Sequence, residues 1–381
     1  MRPNAEGFLE PVIDFKKCNH CGKCYRYCHV VQRKAYQAHL IPHQLASTDP
    51  NAPQHHNEAH LGFTQRYFAL SLKPDFKQLY GAATTGVGFV LAHRFVRSGG
   101  VVVGCRLNSS TNEAEHVIAR TPEEVLPFCG SKYVQSNKHA VMAEVKSLLQ
   151  AGTPVLFLGT PCEIAGVTTL CSTLKPEAKD RLFTVDLICH GVPSPLSLKL
   201  YAQDAAKELG SITGINFRVF LPQSPDWRNM FIGLKGTKQQ IVQHCRQNHY
   251  YTAFLENWSL RPSCYHCPYT NLNRPSDLTI GDFWNIERLL PQFPYALLGT
   301  SQVLVNSQHG VTLFNLLHNH IRHVQEVPAQ MVLQSNYLLH DPMALPPERA
   351  LFFAALKEQQ STVAAVNTVL AHIKTQHQTS S

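Results

Sequence analysis

An α/β fold on a mostly parallel sheet, preceded by a short cysteine-dense segment, is what the sequence predicts, on three observations. Two apolar runs, 155–158 and 184–188, lead straight into a cysteine beside glycine and proline, in Gly159-Thr-Pro-Cys162 and Cys189-His-Gly-Val-Pro-Ser194. Short runs rich in Val, Leu and Ile, with a helix-like segment between them, read as neighbouring parallel strands buried on both faces. From Gly81 the chain repeats a small-residue loop, an amphipathic helix, a glycine and a β-branched strand, a succession that argues for a doubly wound topology. The twelve cysteines, finally, are clustered rather than scattered.

The first element is Cys18-Asn-His-Cys21-Gly-Lys-Cys24-Tyr-Arg-Tyr-Cys28. Its C-x2-C-x2-C-x3-C spacing is that of a bacterial ferredoxin, so residues 10–36 are read as a ferredoxin-like 4Fe-4S segment. Zinc is the alternative, but zinc sites usually pair two short-spaced couples across a longer loop. His29 stands where a ferredoxin has proline, and no second copy of the run exists. Cys18, Cys21 and Cys24 therefore need a remote fourth ligand, leaving Cys28 free to join a second set. Residues 37–62 are polar, with five histidines and three prolines, and read as a solvated linker.

The α/β body is expected over 63–310. In its first unit Thr84-Thr-Gly86 opens a helix over 87–97, and Gly99-Gly100 leads into a strand at 101–103. In the second, Gly130-Ser-Lys-Tyr-Val-Gln-Ser136 precedes a helix whose Val141, Met142, Val145, Leu148 and Leu149 fall at helical spacing, closed by Gly152 before the strand at 155–158. The third runs from Gly159-Thr-Pro-Cys162 through 164–174 to a strand ending at Ile188. Ser194 and Pro195 then form an N-cap and first-turn proline for a helix that Gly210 stops.

The loops entering these helices share the edge of the sheet where ligands bind. Backbone N–H groups at helix starts attract phosphates, and the hydroxyls of Thr84, Thr85, Ser131, Ser136 and Thr160 can add hydrogen bonds, with plain helix capping as the alternative for each. No G-x-G-x-x-G follows a strand, so the ordinary dinucleotide fingerprint is absent. Cys162, at a helix start, has its thiolate favoured by the macrodipole, which suits it to bind iron or act as a nucleophile. His190 is read either as a proton exchanger for a bound ring or as a structural imidazole. Cys105, Cys129, Cys171 and Cys245 have no ligand spacing and read as packing residues. Cys264-Tyr-His-Cys267 is a second close couple, by itself ambiguous between zinc, a cluster and a redox dithiol. Beyond it a strand is expected at 301–306, a helix at 309–321, and a helical stretch at 345–375 within a C-terminal extension, 311–381, whose last residues fray.

The N-terminal run, Gly130-Ser-Lys-Tyr-Val-Gln-Ser136, Gly159-Thr-Pro-Cys162, Val185-Asp-Leu-Ile-Cys-His-Gly-Val-Pro-Ser194, Arg261-Pro-Ser-Cys264 through Cys267, and Ile280-Gly-Asp-Phe-Trp284 occur together in that order. In this the chain resembles the coenzyme F420 hydrogenase/dehydrogenase beta subunit family, which includes 7-hydroxymethyl chlorophyll a reductase. The resemblance implies FAD, one or two 4Fe-4S clusters, and electron transfer between the flavin and coenzyme F420 or an organic substrate. It puts flavin contacts on Thr84, Thr85 and Gly86, on Ser131, Lys132, Tyr133, Gln135 and Ser136, and on Gly159, Thr160 and Pro161, with Gly191 nearby. Lys132, which could offset charge on a reduced flavin, and His190 become the candidate catalytic residues. Cys162, Cys189, Cys264 and Cys267, with Cys28, become candidates for a second cluster. Where relatives carry a serine- and glycine-rich phosphate loop this chain has Ala82-Ala-Thr-Thr-Gly86, so contacts there are expected to differ.

Bulk properties agree. At 381 residues, 44% hydrophobic and 16% charged, the chain suffices for one large α/β domain or two smaller ones. No uninterrupted apolar stretch reaches the ~18 residues of a membrane span, and the start lacks a signal peptide's apolar segment. A cytoplasmic protein is expected, where clustered cysteines bind metal or do redox chemistry. The net charge of +8 comes from dispersed residues, which argues against nucleic acid. Two four-iron clusters and a diphosphate cofactor would bring the loaded protein to roughly +2. The leading expectation is an iron-sulfur flavoprotein oxidoreductase. The runner-up is an electron-relay subunit without a substrate site, docking on a redox partner such as ferredoxin or a dehydrogenase subunit, with Tyr250, Tyr251, Phe254 and Trp258 as core or interface. A zinc-stabilised binding protein is the third.

Overall fold

The computed structural model describes residues 1–26, 28, 64–74, 86–138, 141–221, 223–224 and 226–379. A small antiparallel pair, β1 (Arg2–Pro3) and β2 (Leu9–Glu10), opens the chain. The body then runs β3 (Arg66–Leu72), α1 (Val87–Arg97), β4 (Val101–Leu107), β5 (Ala114–Ala119), α2 (Val141–Gln150), β6 (Val155–Gly159), α3 (Pro161–Cys171) and β7 (Leu182–Leu187). It continues with α4 (Pro195–Leu209), β8 (Ile212–Val219), β9 (Phe231–Gly236), β10 (Gln240–His244), α5 (His249–Leu255), β11 (Leu278–Asp282), β12 (Ser301–Val305), α6 (Gln308–Asn315), β13 (Ile321–Glu326), α7 (Arg349–Gln359) and α8 (Thr362–Thr379).

The predicted α/β fold is present, with its parallel strands at the centre. The main sheet has the order β13-β3-β12-β11-β7-β6-β4-β5 among the described residues; β4, β6, β7 and β11 run parallel, and the flanking pairs are antiparallel. Successive side chains on a strand point to opposite faces, so one run of apolar residues supplies two cores. Val102, Leu156 and Val185 pack with Val90, Leu91 and Phe95 of α1 and Leu313 of α6. Val101, Val103, Val155 and Phe157 pack on the other face with Val145 and Leu149 of α2 and Ile164 and Val167 of α3. Helices therefore cover both faces, as the near-continuous hydrophobic strands require.

Several boundaries fall where local chemistry puts them. α1 starts at Gly86, whose φ of 85° is open to glycine. α4 begins with Ser194 as N-cap and Pro195 in its first turn and stops at Gly210, φ 75°. The helix expected over 309–321 is shorter: it ends at Asn315, and Ile321 begins β13, whose burial alternates along its length as an edge strand's does. The helical stretch expected at 345–375 is two helices. Gln360 stands between them in the left-handed conformation, φ 49°, and Ala364 N donates to Ser361 Oγ at 3.0 Å to start α8.

Between β7 and β11 the chain builds a unit that the sequence reading did not foresee, the antiparallel sheet β10-β9-β8 backed by α4 and α5. Tyr250, Tyr251, Phe254 and Trp258 are all buried there or beside it, so they are core rather than interface. α7 and α8 pack around Phe8, Leu200 and Trp258, tying the first ten residues to the body.

Candidate functional site

Three separate stretches deliver cysteines to one cavity beyond the ends of β6 and β7. Strand β6 ends at Gly159, and Thr160 caps α3 through a reciprocal pair in which Thr160 N donates to the Glu163 carboxylate at 2.8 Å. That fixes the first turn and puts Cys162 in it, with its Sγ 3.2 Å from Thr160 Oγ1. Beyond β7 come Cys189 and a turn at Gly191, φ 146°, where a Cβ would stand 2.7 Å from Leu260 Cδ1. Only glycine permits that approach. The turn is zipped to the chain entering the third stretch: Ser194 N donates to Ser259 O and Arg261 N to Val192 O, each at 2.9 Å. A 3₁₀ turn, Pro262–His266, then presents Cys264, and Cys267 follows it.

Cys162, Cys189, Cys264 and Cys267 together line a cavity of about 110 Å³, with His190, Arg261, Tyr269 and Met343 among its walls. Burial pushes the Cys189 thiol well above its ordinary value, and the neighbouring sulfurs of Cys264, Cys162 and Cys267 push it further. Burial raises Cys267 to about 11, and raises Cys264 against the opposing pull of Arg261. Burial of these thiols opposes their ionisation, and the charge of a bound metal is what overcomes it. Zinc draws thiolates to about 2.3 Å around one point; among the described residues no three His, Cys, Asp or Glu side chains converge so closely. The sulfurs surround a space instead, which fits a polynuclear group.

The residues expected to meet a flavin occupy the same edge. Gly88 lies against β11, where a Cβ would stand 3.1 Å from Ile280 Cδ1, which places Gly86 at the head of α1 close by; Thr84 and Thr85 lie outside the described residues, as does the 37–62 linker. Lys132 Nζ donates to the carbonyls of Pro127, Cys129 and Gly130 at 2.8–3.0 Å, and burial lowers it to about 8. Gln135 accepts from Leu9 N at 2.7 Å. The Tyr133 ring stacks on Phe254, centroids 4.7 Å apart. Ser136 Oγ lies 2.9 Å from His116 Nδ1 and 3.2 Å from Glu163. These side chains fix the 130–136 loop against Leu9, Phe254 and α3. His190 Nε2 sits 2.8 Å from Asn257 Oδ1 and its ring packs on Phe254; burial lowers it to about 4, so it is a neutral wall of the cavity.

Cys18, Cys21, Cys24 and Cys28 are not among the residues that line the cavity; Cys21 and Cys24 are exposed, Cys18 and Cys28 half-buried. Cys171 and Cys245 are buried among hydrophobic neighbours, as expected.

Several residues without a motif of their own also build the site. Lys138 Nζ donates to Glu163 at 2.6 Å. Burial works to raise the Glu163 carboxyl, but Lys138 and His116 beside it hold it well below the carboxylate range. Arg274 pairs with Asp186 at 2.9 Å, both fully buried, and braces the Cys267 loop by donating to Tyr269 O at 2.6 Å. Thr160-x-x-Glu163 was findable as a capping box; the long-range pairs had no local signal.

Residues 152–329 match the family model that describes the C terminus of the coenzyme F420 hydrogenase/dehydrogenase beta subunit. Over those residues the chain is similar to that family. The matched stretch contains all four cysteines of the cavity. Among solved structures, a chain of the xenon-derivatized F420-reducing NiFe hydrogenase complex from Methanosarcina barkeri is similar, at 16% identity and a TM-score of 0.46, over 82% of this chain and 91% of that one. No curated protein matches. No described helix is long and apolar enough to cross a membrane.

Proposed function

We propose that this chain is an oxidoreductase whose cavity holds a 4Fe-4S cluster on Cys162, Cys189, Cys264 and Cys267. The single observation that carries the reading is that four cysteines from three stretches, up to 105 residues apart in sequence (267 − 162), line one buried space. Four thiolates are the ligand set such a cluster takes, and when bound it accepts and releases single electrons. A family of hydrogenase and dehydrogenase subunits makes the redox class the coarse part of this reading.

The chain's own residues have definable tasks in it. Cysteines give up their protons on loading, which burial of Cys189, Cys264 and Cys267 opposes until iron arrives. Gly191 and the backbone bonds to 259–261 set the spacing between Cys189 and Cys264. Tyr269 and Met343 wall off water, and His190, held by Asn257, keeps an uncharged side there. We further propose FAD at the neighbouring edge, met by Gly86, Ser131 and the backbone of the 130–136 and 159–162 loops. A second cluster belongs to Cys18, Cys21 and Cys24 in the 10–36 segment, Cys28 serving either set. The 63–310 body carries the cavity, and the 311–381 extension adds β13 to its sheet. Coenzyme F420, an organic substrate or a redox partner protein stands at the far end of the electron path, in the cytoplasm.

The test is anaerobic purification of the full chain with counts of iron, acid-labile sulfide and flavin. About eight irons are expected for two clusters, falling by about four in Cys264→Ser. Colourless protein with tightly bound zinc refutes the reading.

A further inference from the structure

Arg261 stands out among the arginines drawn into the protein. Arg218, Arg274 and Arg349 each meet a carboxylate, on Asp282, Asp186 and Glu6. Arg261 meets sulfur: its Nη2 donates to Cys162 Sγ at 3.4 Å, while its Nε is buried without a hydrogen-bond partner. It lines the cavity itself. Its backbone is not free to withdraw the side chain, since Arg261 N donates to Val192 O at 2.9 Å and Arg261 O accepts from Cys264 N at 2.8 Å. A buried guanidinium needs negative charge near it; the groups facing it are the sulfurs of Cys162 and Cys264 and, beyond them, the Glu163 carboxylate.

We propose that Arg261 is the counter-charge of the cysteine cavity, raising the reduction potential of a cluster held there by meeting negative charge at the Cys162 sulfur. This rests on the cluster reading above. Reduction brings one electron, from a dithionite-class reductant in the assay, and adds one negative charge with no bond made or broken. A fixed cation at hydrogen-bond distance from a ligand sulfur favours the electron-rich state. Arg261 is thus a positioning residue acting through Cys162, and its guanidinium also holds that sulfur toward the cavity.

The experiment uses the full chain carrying Cys18→Ser, Cys21→Ser and Cys24→Ser, so that only iron in the cavity is read. Iron is counted and the midpoint potential is followed by electron paramagnetic resonance during a dithionite titration. Arg261→Gln should keep its iron and shift the oxidised-to-reduced equilibrium by about tenfold toward the oxidised state, a fall of about 59 mV for one electron. Arg261→Lys, which keeps a point charge, should recover most of the shift. An unchanged potential in iron-loaded Arg261→Gln overturns the proposal. If Arg261→Gln binds no iron, Arg261→Lys decides: loading with near-parental potential supports the counter-charge, and failure to load overturns it in favour of a steric role. If the parent binds no iron that Cys264→Ser removes, the cluster reading itself has failed, whatever Arg261 does.

Discussion

Replacing Arg274 with alanine should cost about 3–5 kcal/mol of stability, and more at alkaline than at acid pH. Arg274 and Asp186 are 1% and 0% exposed and 2.9 Å apart. The guanidinium also donates to Tyr269 O at 2.6 Å and Leu187 O at 3.2 Å. Its removal strands a carboxylate whose Oδ1 already lacks a partner. Burial raises the Asp186 carboxyl, and Arg274 is the chief force opposing that rise, so the variant's folded-state value climbs further. For a carboxyl raised on folding, stability is fully present below the unfolded value, about 3.9, and is lost as pH rises through the folded one. Each unit between the two costs about 1.4 kcal/mol. Urea denaturation of both proteins at about pH 5 and about pH 8 measures this through the midpoint at unchanged slope. A loss below about 1 kcal/mol, or one equal at both pH values, refutes the reasoning.

Three further outcomes are expected. Gly191→Ala must leave φ 146° and displace Leu260, so iron content should drop with Cys264 unmutated; full iron loading would show that the turn does not set the sulfur spacing. Glu163→Gln leaves Lys138 without its carboxylate and should cost about 1–3 kcal/mol near neutral pH. Because the Glu163 carboxyl is depressed on folding, its contribution exists above the unfolded value, about 4.3, and fades as pH falls through the folded one. The gap between wild type and variant should therefore close in acid, read as melting temperature against pH. Leu156→Ala, at a fully buried position between α1 and the sheet, should cost about 2–5 kcal/mol while leaving iron content intact.

The sequence displayed those parts of the molecule that rest on local pattern. β4, β6 and β7 were legible because buried parallel strands are short unbroken runs of Val, Leu and Ile, and α4 because Ser194, Pro195 and Gly210 mark both its ends. β3 was hidden behind a polar stretch, and β8 to β10 alternate too weakly to separate from loop. The joining of Cys162 with Cys264 and Cys267 followed from motif order, since no spacing rule connects sulfurs so far apart. Arg261 and Arg274 could not have been assigned tasks without the fold. What makes each matter is the side chain it faces, Cys162 in one case and Asp186 in the other, and both lie more than eighty residues away.

The chain departs from the cavity at Ser194 and comes back at Ser259, and the two residues are bonded through their backbones at 2.9 Å. Everything between them, α4 through α5, enters and leaves the frame at one point, and is further fastened to it by Arg218 on Asp282 and by Leu200 and Trp258 under α7 and α8. A segment whose exit adjoins its entrance can grow, shrink or be exchanged without pulling on the frame to which it is hinged. The antiparallel unit can thus vary in length at its far turns without moving the sulfurs, whereas a foreign replacement would inherit the sulfur geometry only if it kept the partners of Asp282 and Tyr133.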